Sequence, residues 1–486
     1  MAVRAVGQRL GMRSIGPIST QALTRVAWHL CRIFVSLSLL WVDNTILLIV
    51  GCLARLRRIV SRRQATLRNV RFYPKSVLVT GIGTPSGLAL ARAWEAEGHR
   101  VVGADVADLD LPVRSGGSMS KTLVAFYRVP KDHYISRLLD IIHREKVDVW
   151  IPCSPKANVI EDATARQVIE SRTNCKCITF DVELTACFVQ PESFRRWVAE
   201  RDLPVVERHQ VQSRDSVHKI LHRSPTKSYQ MRRLGFDESA VILPKRTLSK
   251  TYTRVSEIQI SKDRPWVLQQ QPRLGEFIAD LLVVRGHVHA IGIRPAGARS
   301  SQFGSSLLDE ALAMAIHRLM QRFAMAGGVR MTGHLSVRLM VDQEFDAHSV
   351  RHAIHIAGCT PGAEVIEYLF DNTPHSVAGY LAVLSSDPVE TAAWPANVTR
   401  SSTSRPTLAW AEQARAFPLL SSIAPWILLP QAIRVLRVEI TPFLFWKDPR
   451  FSPADPLPWW WHVHVYQPLR EVWLLMKQNR ESGLVG

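Results

Sequence analysis

The chain has 486 residues, a length that suggests about two to four domains. Its 47% hydrophobic and 21% charged residues supply enough apolar side chains for packed cores, which excludes a largely disordered protein. The net charge of +19 is concentrated in residues 1–75, where 13 Lys/Arg face one acid, Asp43. That distribution favours a membrane-flanking segment over a nucleic-acid-binding body, so no nucleic acid partner is expected. The odd number of cysteines, seven, is typical of reduced, intracellular usage.

The first predicted element is an apolar segment at 33–54, which is long enough to span a bilayer. Asp43 and Asn44 interrupt its middle, and five arginines follow it between residues 55 and 63. Such a cluster keeps its flank on the cytosolic side. We therefore expect a membrane-associated protein with a cytosolic catalytic body, and a single membrane helix is the leading form. A helical hairpin broken at Asp43–Asn44 and an interfacial helix are the alternatives.

A βαβ unit is predicted at 76–105. The apolar run Val77–Val79 is typical of a buried parallel strand, and Gly81, Gly83 and Gly87 follow it at the start of an amphipathic helix. In such a turn, Gly81 and Gly83 would let the backbone approach a phosphate at the helix N-terminus. The alternative is that these glycines only allow close packing of strand and helix, because one match of this kind is a weak signal.

Strands and helices continue to alternate after this unit, which predicts an open parallel sheet with helices on both faces. Asp181–Gln190 is then expected to be a linker. Beyond it the pattern becomes antiparallel, with strand segments at 266–274 and 276–284 and a tight turn at Arg285–Gly286. A long amphipathic helix is predicted at 305–325.

The C-terminal region from residue 376 differs again in composition. A loop rich in Ser, Thr, Pro and Asn is followed by helical segments and a tail that reads P-L-P-W-W-W-H-V-H-V-Y. A packed irregular cap is one interpretation of this tail. A membrane-interface belt is the other, since tryptophan favours that zone.

Taken together, residues 76 to about 370 resemble the ATP-grasp superfamily of ATP-dependent carboxylate–amine ligases. The motifs that carry the resemblance are P-E-S-F-R-R-W-V-A-E-R-D-L-P-V-V, then W-V-L-Q-Q-Q-P-R-L-G-E-F-I-A-D-L-L-V-V-R-G-H-V, then G-H-L-S-V-R-L-M-V and H-A-I-H-I-A-G-C-T-P-G. The tail runs W-K-D-P-R-F and P-L-P-W-W-W-H-V-H-V-Y look like those of fungal members linked to secondary metabolism.

The resemblance implies an α/β and α+β fold with four regions. They are a basic N-terminal region with the membrane helix (1–72), a pre-ATP-grasp domain with an open parallel sheet (73–182), a two-lobed ATP-grasp domain (183–375) and a helical C-terminal cap (376–486). ATP and Mg²⁺ would be the cofactors. A carboxylic acid would be activated as an acyl-phosphate and captured by an amine, and both small molecules would be partners of the protein.

The resemblance also implies site residues. Arg232 would bind phosphate, Gln269 and Gln270 would lie at the hinge strand, Glu276 would meet a ribose or an amine, and Arg294 would be a catalytic clamp for phosphate or carboxylate. Three positions depart from the family pattern, because Arg338, His355 and Ala357 replace the usual acidic and amide metal ligands. Asp342 and Glu344 are nearby carboxylates that could hold the metal instead, although a solvated turn is the alternative for them.

Three functions are compatible with these features. The first is a membrane-associated ATP-grasp ligase, and the second is a degenerate ATP-grasp scaffold without catalysis, to which the replaced ligands point. The third is an NAD(P)- or nucleotide-sugar-dependent enzyme built on the first sheet. That third function predicts a Tyr-x-x-x-Lys pair after the sheet, and no such pair follows residue 182 in the sequence.

Overall fold

A computed structural model describes residues 33–34, 37–41, 43–49, 72–107, 113–155, 157–224, 227–233, 241–261, 266–271, 274–296, 310–346, 349–370, 377–385 and 448–483. The chain divides into two compact units. The smaller, called here the terminal unit, comprises 1–59, 109–120 and 427–486. The larger, called the central unit, comprises 60–108 and 121–426. Each is described by itself.

The central unit begins with a five-stranded parallel sheet in the order β3-β2-β1-β4-β5, as the alternating pattern predicts. Val77, Leu78 and Val79 are fully buried because β1 lies in the middle of this sheet and helices cover both of its faces. The strands are β1 (Ser76–Thr80), β2 (Arg100–Ala107), β3 (Leu123–Pro130), β4 (Val149–Pro152) and β5 (Lys176–Cys177). The helices are α1 (Pro85–Ala96), α2 (Tyr134–Glu145) and α3 (Val159–Arg172), and a 3-10 turn at Lys131–His133 precedes α2.

A four-stranded antiparallel sheet follows, in the order β6-β9-β7-β8. One of its faces buries Tyr229, Met231 and Leu268 against two helices. Because side chains alternate along a strand, Arg232 and Gln269 lie on the other face, away from the helices. The elements are β6 (Arg208–Val211), α6 (Arg214–Arg223), β7 (Ser228–Arg233), β8 (Val241–Leu243), α7 (Leu248–Ser256) and β9 (Trp266–Gln271).

A second antiparallel sheet has the order β11-β10-β12-β13. One face is the floor of the largest apolar core, in which Phe277, Leu281 and Leu339 pack against helices. Its strands are β10 (Gly275–Val284), β11 (His287–Pro295), β12 (Gly333–Asp346) and β13 (Ser349–Pro361). The helices are α4 (Val182–Val189), α5 (Pro191–Ala199), α8 (Glu310–Gly327), α9 (Val365–Phe370) and α10 (Val377–Leu381), with a 3-10 turn at Gly328–Arg330.

The expected linker at 181–190 is instead helix α4, and that expectation was wrong. Asp181 caps the helix by accepting a hydrogen bond from the Leu184 amide at 2.8 Å. Phe188 packs edge-to-face against Phe194 and Trp197, with ring centroids 5.7 and 5.4 Å apart. Burial of these aromatic rings accounts for a helix where the sequence pattern suggested only a connection.

The terminal unit holds the described part of the apolar N-terminal segment, which is helical at 33–34, 37–41 and 43–49. Against it lie a 3-10 turn (Gly116–Met119), α11 (Leu457–Trp461), a π-helical turn (His462–Tyr466) and α12 (Gln467–Gly483). Among the described residues, none of the helices has the length and apolar character needed to cross a bilayer. Residues 50–54 of the expected membrane helix, and 386–447 of the expected C-terminal cap, lie outside the described residues.

We predict that Phe188→Ala lowers the free energy of unfolding by about 3–5 kcal/mol, because it removes a buried ring from the aromatic cluster around α4. The matched control is Val189→Ala, which changes the exposed neighbour and should cost no more than about 0.5 kcal/mol. Urea denaturation of both variants measures the difference. Equal stability of the two variants would show that 181–190 is a linker after all.

Candidate functional site

Two stretches of chain join the two antiparallel sheets, and the first is 204–207. Its Pro204 carbonyl accepts a hydrogen bond from the Ile356 amide of β13 at 2.8 Å, and the Val206 amide donates to the Ile356 carbonyl at 3.1 Å. One residue later, the Glu207 carbonyl accepts from the Gln270 amide of β9 at 2.9 Å. This short stretch therefore touches both sheets through backbone hydrogen bonds.

The second joining stretch is 270–275, between β9 and β10. Its Leu274 amide donates to the Val341 carbonyl of β12 at 3.1 Å. The side chain of Gln270 also crosses to the other sheet, since its Nε2 donates to Asp342 Oδ2 at 2.7 Å. Together the two stretches form a hinge that places the end of β9 beside the middle of β12 and β13.

Gln270 is the buried polar group of this hinge. It is 3% exposed, and its Oε1 accepts no hydrogen bond from the described residues. A buried carbonyl oxygen without a donor is costly. The arrangement therefore suits a ligand that brings an N–H group to the hinge.

Glu207, at the other side of the hinge, has a cationic partner. Lys227 Nζ and the Tyr229 hydroxyl both donate to its carboxylate, the latter at 3.0 Å. Burial alone would raise the pKa of Glu207, but these hydrogen bonds outweigh it and hold the pKa below its usual value. Glu207 is thus a fixed negative charge beside Gln270. The sequence interpretation missed it.

Arg232 and Gln269 lie on the uncovered face of the first antiparallel sheet. Arg232 is exposed on β7, and its terminal nitrogen donates to Gln269 Oε1 of β9 at 3.3 Å. The structure therefore brings these two predicted residues together. The guanidinium is available to an anion on this face.

The face of the second antiparallel sheet opposite its largest core is part apolar, with Leu282 and Val284 in another core, and part polar. Here Arg294 Nε donates to Asp280 Oδ2 at 2.7 Å, and the Ser336 hydroxyl donates to Asp280 Oδ1. The guanidinium of Arg294 lies 4.0 Å from the centroid of the Tyr368 ring. Among the described residues, only Nε of Arg294 is used as a donor, so its two terminal nitrogens remain for an anionic oxygen.

Asp280 is fully buried, and its ion pair with Arg294 has a partly exposed cationic end. Burial raises the pKa of Asp280 above its usual value, although the Arg294 guanidinium opposes the shift. Asp280 was not predicted as a site residue. A lone carboxylate inside the apolar run F-I-A-D-L-L-V-V is the signal that could have revealed it.

Arg338 and His355 occupy the same polar face. Arg338 pairs in register with Ile278 and Gly358, and its side chain is exposed. His355 pairs with Met340, two residues along β12. The positions at which the sequence resemblance implies metal ligands thus present a guanidinium and an imidazole on this face.

The remaining predicted residues are more scattered. Glu276 is half-buried on β10, opposite Met340, and its carbonyl accepts from the Ala296 amide at 2.8 Å. Asp342 is held by Gln270, as described above. Glu344 lies on β12 opposite Arg351, and its side chain is outside the described residues.

A magnesium ion does not fit the described residues of this face. No group of three His, Cys, Asp or Glu side chains among them could hold a metal. Asp342 already accepts a hydrogen bond from an amide, and Arg338 places a positive charge where a hard oxygen ligand is needed.

The glycine turn after β1 lies elsewhere, in the parallel sheet. Gly81 has a φ of +76°, and a side chain on it would meet the Cys153 carbonyl at 2.4 Å. The Gly83 amide donates to the Asp105 carboxylate at 3.1 Å, and the Thr84 hydroxyl accepts from the Gly87 amide at 3.0 Å. The turn thus directs these amides to its own side chains, which favours the packing interpretation of the glycines over phosphate binding.

No protein-family model matches this sequence, and no curated protein matches it significantly. Among solved structures, the biotin carboxylase subunit of a pyruvate carboxylase is similar over 62% of this chain and 69% of its own, at 12% identity and a TM-score of 0.42. Campylobacter jejuni biotin carboxylase in an ATP complex is similar over 63% of this chain and 71% of its own, at 13% identity and a TM-score of 0.38. An ADP complex of N5-carboxyaminoimidazole ribonucleotide synthetase is similar over 60% of this chain and 71% of its own, at 14% identity and a TM-score of 0.35. These scores are too low to transfer a function.

We predict that Arg294→Met destabilises the protein by about 3 kcal/mol or more at neutral pH, because it leaves the Asp280 charge buried without its partner. The folded-state pKa of Asp280 would rise further. Protonation of Asp280 would then relieve the loss, so the stability deficit relative to wild type should grow as pH rises above the raised pKa of wild-type Asp280 and shrink below it. Urea denaturation across this pH range measures it.

The control for this prediction is the double variant Asp280→Asn with Arg294→Met, which has no carboxylate to titrate. Its stability deficit should be nearly independent of pH. If the single and double variants show the same pH profile, Asp280 and Arg294 are not coupled.

Proposed function

We propose that this chain is an ATP-grasp-type protein that holds ATP between its two antiparallel sheets, and that it ligates a carboxylic acid to an amine. One observation carries the proposal. Along the chain, a parallel sheet is followed by two four-stranded antiparallel sheets that are joined by the hinge at 204–207 and 270–275. That is the order implied by the sequence resemblance, with a nucleotide held between two α+β lobes.

The described residues fit a nucleotide at this hinge. The unsatisfied Oε1 of Gln270 would accept a hydrogen bond from the exocyclic amino group of the base. Arg232 with Gln269 on one sheet, and Arg338 on the other, would neutralise phosphates. Phosphoryl transfer places negative charge on equatorial oxygens, and cations held in place lower its barrier.

Arg294 has a distinct role in this proposal. Contacts with Asp280 and Tyr368 hold its guanidinium in place, so its two terminal nitrogens have a fixed position. A group fixed in this way loses little entropy on binding a carboxylate or phosphate. Because Mg²⁺ does not fit the described residues, we assign no step of the reaction to it.

The second candidate is a nucleotide-binding scaffold of the same fold without ligation. Arg338 and His355 favour it, because neither is a hard oxygen ligand for a metal. The domain boundaries at 72, 182 and 375, attachment to a membrane through 33–54, and a role in secondary-metabolite biosynthesis belong to the first candidate and await their own tests.

We predict that the full-length protein binds ATP in calorimetric titration and that Arg232→Ala weakens binding about 10- to 100-fold, since a charge-assisted hydrogen bond is lost. The control is Arg233→Ala, which pairs opposite Trp266 and so lies on the helix-covered side of the same strand. It should bind ATP as wild type does.

The two candidates separate in a second measurement. Release of ADP that depends on both an organic acid and an amine, across a panel of each, supports the ligase. ATP binding with no ADP release across the panel supports the scaffold. Failure to bind ATP, with or without Mg²⁺, overturns both.

A further inference from the structure

Several large apolar side chains are exposed on the helical residues 33–34, 37–41 and 43–49 of the terminal unit. Phe34, Trp41 and Leu48 are 70%, 83% and 68% exposed. With Leu37, which is also exposed, they recur at spacings of three, four and seven residues and so share one face of the helix. A face of this kind on a water-soluble helix would normally be turned inward.

The acidic residue of the same segment, Asp43, lies on the opposite, buried side of the helix. Asp43 is 3% exposed, and its Oδ2 lies 2.8 Å from Nε2 of His464 in the π-helical turn. The neighbouring Asn44 is exposed, and its Oδ1 accepts from the Trp460 indole at 2.9 Å. A carboxylate turned inward on a helix whose other side exposes large apolar residues is the arrangement expected for a helix that faces lipid.

The two hydroxyl groups on the exposed side follow the same rule. Ser38 Oγ donates to the Phe34 carbonyl at 2.8 Å, and Thr45 Oγ1 donates to the Trp41 carbonyl at 3.0 Å. Both hydroxyls therefore donate to the helix's own backbone. Internal satisfaction of this kind is what a low-dielectric surrounding demands.

Helix α12 at the other end of the chain repeats the pattern. Leu469, Val472 and Met476 are exposed at spacings of three and four residues. Glu471, between them, is only 1% exposed. Two helices that are more than 400 residues apart in sequence thus show the same inverted polarity within one unit.

We propose that the terminal unit is a membrane-binding module that inserts these two apolar stripes into one leaflet of an anionic bilayer without crossing it. An exposed apolar stripe opposite a buried carboxylate is the polarity of a helix that lies in the interface. Tryptophans such as Trp41 prefer that zone. The arginines that flank the segment in sequence, between 25 and 32 and between 55 and 63, complement anionic headgroups.

The module differs from an anchor made of the N-terminal segment alone, because α12 contributes and the pair Asp43–His464 links the two. It does not depend on the nucleotide site. Loss of ATP binding in Arg232→Ala should leave membrane binding unchanged, so the two proposals fail separately.

The test is flotation of the full-length protein with vesicles of phosphatidylcholine and phosphatidylserine. We expect wild type to float, and the double variants Trp41→Glu with Leu48→Glu, and Val472→Glu with Met476→Glu, each to lose partitioning by roughly 100-fold. The double variant Met325→Glu with Val329→Glu is the matched control, because it puts two glutamates at exposed apolar residues of the central unit. It should float as wild type does.

A second measurement needs no charged variant. Brominated lipids should quench part of the tryptophan fluorescence of wild type, and Trp41→Phe should float but lose part of that quenching. Wild type that stays unbound, or a 472/476 double variant that floats as well as wild type, would overturn the proposal. So would a dimer that forms without lipid and is abolished by the glutamate variants, since a second copy would then cover the stripes.

Discussion

The hinge between the two antiparallel sheets is the constraint on which the candidate site depends. Backbone hydrogen bonds from 204–207 to both β13 and β9, and from Leu274 to β12, hold the end of β9 against the middle of β12 and β13. Gln270 and Asp342 join them through side chains at the same point. These contacts connect the sheet that carries Arg232 to the sheet that carries Arg338.

The charged residues on this side of the second sheet differ in how deeply they are buried, and burial decides how firmly each is held. The buried charge of Asp280 is balanced by its ion pair with Arg294. The pair keeps the guanidinium in place and leaves its terminal nitrogens for a ligand. Arg338 is exposed, and no described residue forms an ion pair with it. The face therefore combines one fixed and one adaptable cation, a combination that suits a polyanion better than a divalent metal.

The sequence predicted correctly those elements that are specified by residues close together in the chain. The βαβ unit at 76–105 and the hairpin at Arg285–Gly286 are both present, because a buried apolar run or a tight turn suffices to specify them. The helix at α4 was mistaken for a linker, since its stability comes from aromatic rings outside it, in the following helix (Trp197) and far along the chain (Phe323). Asp280 escaped notice for a similar reason, because its partner Arg294 is brought to it by strand register alone.

The terminal unit shows why the two interpretations of the tryptophan-rich tail need not exclude each other. Trp459 is fully buried in a small apolar cluster with Val463, as a packed cap requires. Trp41 on the helix that packs against that cluster is 83% exposed, as an interface belt requires. A helix that buries the Asp43 carboxylate and exposes the Trp41 ring is stabilised little by water, because its charge is desolvated and its apolar side is hydrated. Its folding is therefore favoured most where a second apolar phase covers the exposed side and the Asp43–His464 pair remains inside.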